Sequence, residues 1–141
     1  MKLTPAAATS LAKWHDMIAK LDLADLESIV AEDVVFRSPV ANNPYPGQQV
    51  VCVVLRGAMN VFQDFVYHRE FASGDRDVCL EFAARVGDKT LKGVDLVKFG
   101  EDGKIIEFEV MVRPGTGVMA LGEAMKATVG PSIRQALEAC K

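Results

Sequence analysis

The chain has 141 residues, a length typical of one domain, and 50% of them are hydrophobic, so a substantial core can be buried. The formal net charge of -3 leaves no basic surplus to neutralise phosphates, which argues against nucleic acid as a partner. No apolar run approaches the ~20 residues of a membrane-spanning helix. We therefore predict one domain over residues 1–141, with no membrane role.

The first half of the chain is predicted to be mainly helical. Residues 5–20 favour a helix capped by Thr4, because apolar side chains recur there at helical spacing. A second short helix over residues 22–30, a short strand over 34–38 and a loop rich in proline and asparagine follow. Residues 48–64 again show the helical period and predict one long helix.

After residue 64 the hydrophobic period changes from that of a helix to that of a strand. Short turns containing glycine, aspartate or serine separate four predicted strands, which cover residues 65–72, 78–86, 90–99 and 104–113. Residues 117–140 are predicted to be helical, with a break near Gly130. Helices segregated from an antiparallel meander indicate an α+β fold and not a doubly wound sheet.

One acidic residue falls on the predicted core side of this sheet. The last three strands place the following residues on their core faces: Leu80, Phe82, Ala84 and Val86; Leu91, Gly93, Asp95, Val97 and Phe99; Ile106, Phe108, Val110 and Val112. Only Asp95 among them is polar. Burying an unpaired carboxylate is costly, so Asp95 must be hydrogen-bonded or protonated. It is either a general acid or base with a raised pKa, or a structural group that satisfies a buried donor.

Three segments resemble the nuclear transport factor 2-like superfamily, in its SnoaL-like and ketosteroid isomerase-like branch. They are Ser38-Pro39-Val40, Gly47 at the start of a helix, and the run GVDLVKFGEDGKI from Gly93 to Ile105. The resemblance covers about residues 10–115. It implies a conical barrel, a cystatin-like curved antiparallel sheet wrapped around the N-terminal helices and one long helix. It also implies a deep ligand-binding pocket and a homodimer.

The resemblance assigns roles to particular positions. Asp95 matches the pocket aspartate, which donates to the substrate oxyanion in the isomerases and acts as general acid/base in the polyketide cyclases. The isomerase base, the aspartate of an Asp-Pro-Val motif, is replaced here by Ser38. The isomerase tyrosine on the first helix falls nearest Met17, with Trp14 one turn earlier. We therefore do not expect steroid isomerisation by the family mechanism.

Other residues are candidates for the wall of the pocket. The inward side chains of a curved sheet converge without filling the cone, so the expected ligand-binding set is Trp14, Met17, Phe36, Ser38, Tyr67, Phe82, Phe108 and Val110. Tyr67 alternates with His68, so only one of them can face inward; the tyrosine is favoured, but the sequence leaves the choice open. Two histidines and no spaced acid cluster predict no metal site, and no cofactor motif is present.

The resulting functional hypothesis is a domain that binds a small hydrophobic molecule. It would be a cofactor-independent acid/base enzyme of the cyclase or isomerase type, with Asp95 as the catalytic group and a carbonyl-containing substrate. The alternative is a non-catalytic ligand-binding or dimerisation module. We expect a homodimer through the outer face of the sheet, where Val94, Leu96 and Met111 lie. Early charges at Lys13 and Asp16 argue against a secretory signal, so we expect a cytoplasmic protein.

Overall fold

The structure, a computed structural model, describes residues 2–140. Within them, four α-helices cover Pro5–Lys20 (α1), Gln48–Val61 (α2), Gly115–Thr128 (α3) and Gly130–Ala139 (α4). Six strands cover Val30–Arg37 (β1), Tyr45–Pro46 (β2), Gln63–Ser73 (β3), Asp77–Val86 (β4), Lys89–Phe99 (β5) and Ile105–Arg113 (β6). No helix in this part of the chain is long and apolar enough to cross a bilayer.

The strands form one curved sheet in the order β2-β1-β6-β5-β4-β3. The sheet is not closed into a barrel, because its edge strands β2 and β3 do not pair with each other. Neighbouring strands are antiparallel except for β1 and β6, which pair in parallel. The predicted α+β class is confirmed. The parallel pair was not anticipated, because its two strands are far apart in sequence.

The predicted helix over residues 22–30 was wrong. Only Leu26–Ile29 forms a single 3₁₀ turn, and β1 begins at Val30, four residues before the predicted strand. Val30 pairs with Ile105 of β6, and its carbonyl accepts a hydrogen bond from Gln48 Nε2 at 2.7 Å. These tertiary bonds extend the strand into a segment whose local pattern favoured a helix.

Two further boundaries differ from the sequence prediction. Helix α2 ends at Val61 and not at residue 64, because Phe62 is already extended, with φ of -65° and ψ of 136°. On β6 the predicted core position of Ile106 was wrong, since Ile105 is 1% exposed and pairs with Phe99. The register shift between Lys98 and Phe99 brings Ile105, and not Ile106, to the core side of β6. Phe108 is on the core side, as predicted.

A glycine in β5 leaves room for a buried aromatic side chain of β4. Phe82 of β4 pairs with Gly93, and a Cβ atom at position 93 would lie 2.7 Å from the Phe82 ring and would overlap the Met111 carbonyl oxygen. Only glycine therefore leaves room for Phe82 to pack over β5, two residues before Asp95. Phe82 is completely buried there, next to Leu91 and under Leu121 of α3.

Candidate functional site

An apolar cavity lies between the inner face of the sheet and helices α1, α2 and α3. Its empty volume is about 540 Å³, including the part that opens to solvent. Aromatic, aliphatic and methionine side chains form most of the wall. The side chains that bring oxygen atoms to it are Ser38, Tyr67 and Asp95, and among the described residues Asp95 supplies the one carboxyl group.

Six of the eight predicted ligand-binding residues line this cavity: Trp14, Phe36, Ser38, Tyr67, Phe108 and Val110. The other two lie outside its lining. Met17 is 8% exposed and packs in the core one turn after Trp14. Phe82 lies behind Phe65, with the two rings stacked at 4.9 Å between centroids, so Phe65 faces the cavity and Phe82 does not.

Sequence reasoning missed the part of the wall that α2 and α3 contribute. Val54, Met59 and Phe62 lie on or next to the apolar side of α2, and Leu121 and Met125 belong to α3. Helical periodicity identifies such residues as buried. It does not distinguish a side chain that fills a core from one that borders an empty space, because both are apolar and inward.

Three side chains form a hydrogen-bonded chain that ends at Asp95. Trp14 Nε1 donates to the Tyr67 hydroxyl at 2.9 Å, and that hydroxyl donates to Asp95 Oδ2 at 2.5 Å. Tyr67 therefore faces inward, and His68 is exposed. Because the tyrosine proton is used by Asp95, the hydroxyl of Tyr67 has no proton left to give to a ligand.

The geometry of the sheet explains why a tyrosine is suited to this contact. Tyr67 is on β3 and Asp95 is on β5, so β4 lies between them. Tyr67 pairs with Phe82, and Asp95 pairs with Leu80, two residues away on that middle strand. A long side chain with a terminal hydroxyl can reach across one strand, which a serine or threonine cannot do.

Burial dominates the electrostatics of Asp95. The residue is 5% exposed, and its desolvation raises the pKa of the carboxyl from 3.8 to about 7, although the hydrogen bond from Tyr67 acts in the opposite direction. The pKa of Tyr67 is raised well above 10, first by burial and then by the negative charge of Asp95. At neutral pH the tyrosine is therefore a protonated donor, while Asp95 is present in both protonation states.

One oxygen of Asp95 is available to a ligand. Within residues 2–140, the hydrogen bond to Asp95 engages Oδ2, and Oδ1 has no partner. No fully enclosed polar side-chain atom in this part of the chain lacks a hydrogen bond, so Oδ1 is not fully enclosed. Asp95 borders the cavity, and Oδ1 is thus its contact atom. When protonated, Oδ1 can donate to a ligand while Oδ2 continues to accept from Tyr67.

Ser38 has a structural role at the edge of the cavity. Its Oγ accepts from the backbone N–H of Val40 at 3.0 Å and of Ala41 at 3.4 Å, which holds the loop between β1 and β2 in a turn. His15 lies outside the lining, where its Nε2 is 2.7 Å from Glu70 Oε1. No group of three potential metal ligands occurs among the residues that the structure describes.

Comparisons with known proteins agree with this architecture. The model of the SnoaL-like domain matches residues 11–108, whereas no curated protein matches the chain. A steroid delta-isomerase from Pseudomonas aeruginosa is 49% identical, over 96% of this chain and 97% of its own, with a TM-score of 0.87. A protein with a cystatin-like fold from Silicibacter pomeroyi is 37% identical, over 84% and 83% of the two chains, with a TM-score of 0.79.

A more distant structure shares the fold alone. A protein described as a SnoaL-like polyketide cyclase, from Shewanella putrefaciens, is 13% identical over 89% of this chain and 88% of its own, with a TM-score of 0.61. The family match covers more than half of the chain, and the two closer structures extend the similarity to nearly its full length. The chain therefore belongs to the SnoaL-like domain family of the nuclear transport factor 2-like superfamily.

Proposed function

We propose that the protein is a cofactor-independent acid/base enzyme of the cyclase or isomerase type, acting on a hydrophobic carbonyl compound. The observation that carries this proposal is Asp95, a carboxyl in an apolar cavity with one oxygen facing the space and a pKa of about 7. A group with a pKa near the ambient pH is effective both in taking and in giving a proton.

The proposed chemistry uses Asp95 in both directions. Its ionised Oδ1 takes a proton from a carbon next to a carbonyl, and the C–H electron pair moves into the enolate. In an isomerisation the protonated carboxyl then returns this proton to another carbon. In an intramolecular aldol cyclisation the enolate carbon first attacks a second carbonyl carbon of the substrate, whose π electron pair moves to its oxygen, and the carboxyl then protonates this alkoxide. Tyr67 keeps the carboxyl in place through Oδ2. The apolar wall excludes water and so strengthens the electrostatic interactions of the reacting groups.

Deuterium exchange tests this proposal without knowledge of the natural substrate. Aryl ketones and α-substituted β-keto esters are incubated with the protein in D₂O, and proton NMR follows loss of the signal from the carbon acid. We expect exchange that rises with pH through about 7 in the wild type. In Asp95→Asn it should fall by a factor of ~10² to 10⁴. Exchange that the substitution leaves unchanged contradicts the proposal.

A ligand-binding module without turnover is the second candidate. It is favoured by Ser38, whose hydroxyl is engaged by two backbone N–H groups and has no carboxylate to activate it. In this case the same compounds bind in the cavity, with Asp95 as a hydrogen-bond anchor. Their carbon protons then exchange no faster than in buffer.

We predict that the protein does not isomerise 3-keto-Δ5 steroids at the rate of a natural isomerase, although its Pseudomonas aeruginosa relative is called a steroid delta-isomerase. The family mechanism uses two groups, and Ser38 replaces the carboxylate base, whose contribution is typically ~10² to 10⁴. Ser38→Asp should increase the rate, measured by absorbance of the conjugated enone. Ser38→Asn, which can keep the loop turn, is the control. A rapid wild-type reaction would show that Asp95 or another group performs both tasks.

We also propose a homodimer formed through the outer face of the sheet. Val66, Phe71 and Met111 are 46%, 53% and 49% exposed there, a large apolar exposure for one sheet face. Sedimentation at micromolar concentration should show a dimer, and Met111→Glu should weaken it by burying a charge in a self-complementary contact. Leu21→Glu, on the exposed end of α1, is the matched control. A wild-type monomer under these conditions contradicts the proposal.

A further inference from the structure

A second depression adjoins the cavity that contains Asp95. The two share Ser38, Val40, Val54 and Met125 as common lining residues. The second depression has an empty volume of about 900 Å³, open solvent included, and continues over α3 and α4. A molecule that reaches from Asp95 into the second depression must pass these four side chains.

The charges of the two spaces differ. The second depression is lined by Lys126 of α3 and Arg134 of α4, with no acidic residue in its lining. Neither cation forms an ion pair within residues 2–140, and Glu123 and Glu138 on the same helices lie outside the lining.

Most arginines on the sheet and on α2 are already neutralised by a nearby carboxylate. They form the pairs Arg37–Glu107, Arg56–Glu27, Arg69–Glu81 and Arg85–Asp64. In a chain with a net charge of -3, two cations without a carboxylate partner in the depression next to the apolar cavity provide a local site for an anion.

We propose that the substrate carries a carboxylate, which binds between Lys126 and Arg134 while the carbonyl end of the molecule reaches Asp95. This inference rests on the proposed function and specifies its substrate class as hydrophobic keto acids. The planar guanidinium of Arg134 matches the two oxygens of a carboxylate, and Lys126 adds a second positive charge. The same charges orient the substrate, because a carboxylate placed deep in the cavity would lose its hydration and be repelled by ionised Asp95.

Binding of a matched pair of probes tests the inference. A ten-carbon keto acid with its ketone at the end remote from the carboxylate is compared with its methyl ester, which has the same chain but no charge. Trp14 is the single tryptophan and lines the cavity, so its fluorescence reports binding of either probe. We expect the acid to bind roughly three- to tenfold more tightly than the ester at low salt, the range expected for two exposed charge contacts.

This preference should disappear in the double variant Lys126→Gln and Arg134→Gln, with the affinity for the ester unchanged. Lys104→Gln, an exposed lysine on the turn before β6, should keep the preference. Added salt should weaken binding of the acid and not of the ester. Equal affinities of the wild type for both probes, or an equal loss for both in the double variant, overturn the inference.

The two proposals fail in different ways. Equal binding of acid and ester, together with exchange that depends on Asp95, overturns the anion site and leaves the acid/base function intact. A preference for the acid that the double variant abolishes, together with exchange that Asp95→Asn leaves unchanged, supports the anion site and contradicts the acid/base function. Failure of both probes to bind overturns the keto-acid inference itself.

Discussion

Asp95→Asn is expected to make the protein more stable than the wild type at pH 8. The folded state raises the pKa of Asp95 from 3.8 to about 7, so the unfolded chain binds fewer protons than the folded one between these values. Stability of the wild type therefore falls as the pH rises through this window, and the full shift corresponds to roughly 4 kcal/mol. Asparagine has no charge to desolvate and can still accept a hydrogen bond from Tyr67.

Denaturant melts of the two proteins at pH 5 and pH 8 measure this effect. The difference in unfolding free energy, variant minus wild type, should increase by roughly 3 kcal/mol between the two pH values, because most of the window lies between them. Asp77→Asn is the control, since Asp77 is a half-exposed residue on β4 whose Oδ1 is 3.5 Å from Lys98 Nζ. If Asp95→Asn is less stable at both pH values and the loss is larger at pH 8, ionised Asp95 is a structural anchor.

Tyr67→Phe is expected to raise the pKa of Asp95 above its wild-type value of about 7. The hydrogen bond from Tyr67 is the contact that lowers this pKa against the effect of burial, and phenylalanine removes it while keeping the ring. The pH at which deuterium exchange reaches half of its maximum should move upward with it. Unfolding should become easier by ~1 to 3 kcal/mol, because Trp14 Nε1 loses its acceptor.

The pKa itself can be followed through the carboxyl carbon of Asp95 by NMR as the pH is changed. Tyr45→Phe is the matched control, because Tyr45 stacks on Phe36, which lines the same cavity, and lies on a different strand from Tyr67. It should leave both the titration and the exchange profile unchanged. A titration of Asp95 in Tyr67→Phe that coincides with the wild type would show that Tyr67 does not tune the acid, whatever its effect on stability.

The sheet was largely predictable from the sequence because its strands are marked by local signals. Alternation of apolar and polar residues, with a short glycine- or aspartate-containing turn between neighbours, identified β3 to β6 to within two residues at every end. β1 and β2 were the exceptions. β2 lies inside the segment predicted to be a loop, and its two residues are too few to show an alternation. β1 was predicted to start too late. Its first residues depend on a parallel partner about seventy positions later, and no local period reports such a pairing.

The candidate site was predictable only in part. The side of the sheet on which Asp95 lies followed from strand alternation, and so did its unusual burial. Its hydrogen-bonded partners did not, because Trp14 and Tyr67 are separated by 53 positions and Tyr67 and Asp95 by 28. Met17 and Phe82 were predicted to line the cavity and do not. Both are inward and apolar, as required for a cavity wall, yet neighbouring side chains cover them.

The two partners in the Tyr67–Asp95 hydrogen bond belong to an edge strand and a central strand of the sheet. Asp95 lies on β5, which has a hydrogen-bonded neighbour on each side, whereas β3 is an edge strand whose register shifts between Tyr67 and Glu70. Edge segments open locally at lower free energy than central strands. Amide protons of β3 should therefore exchange with solvent sooner than those of β5. Each brief opening of β3 leaves Asp95 without its hydrogen-bond donor, so the proton affinity of the acid depends on how often that strand opens.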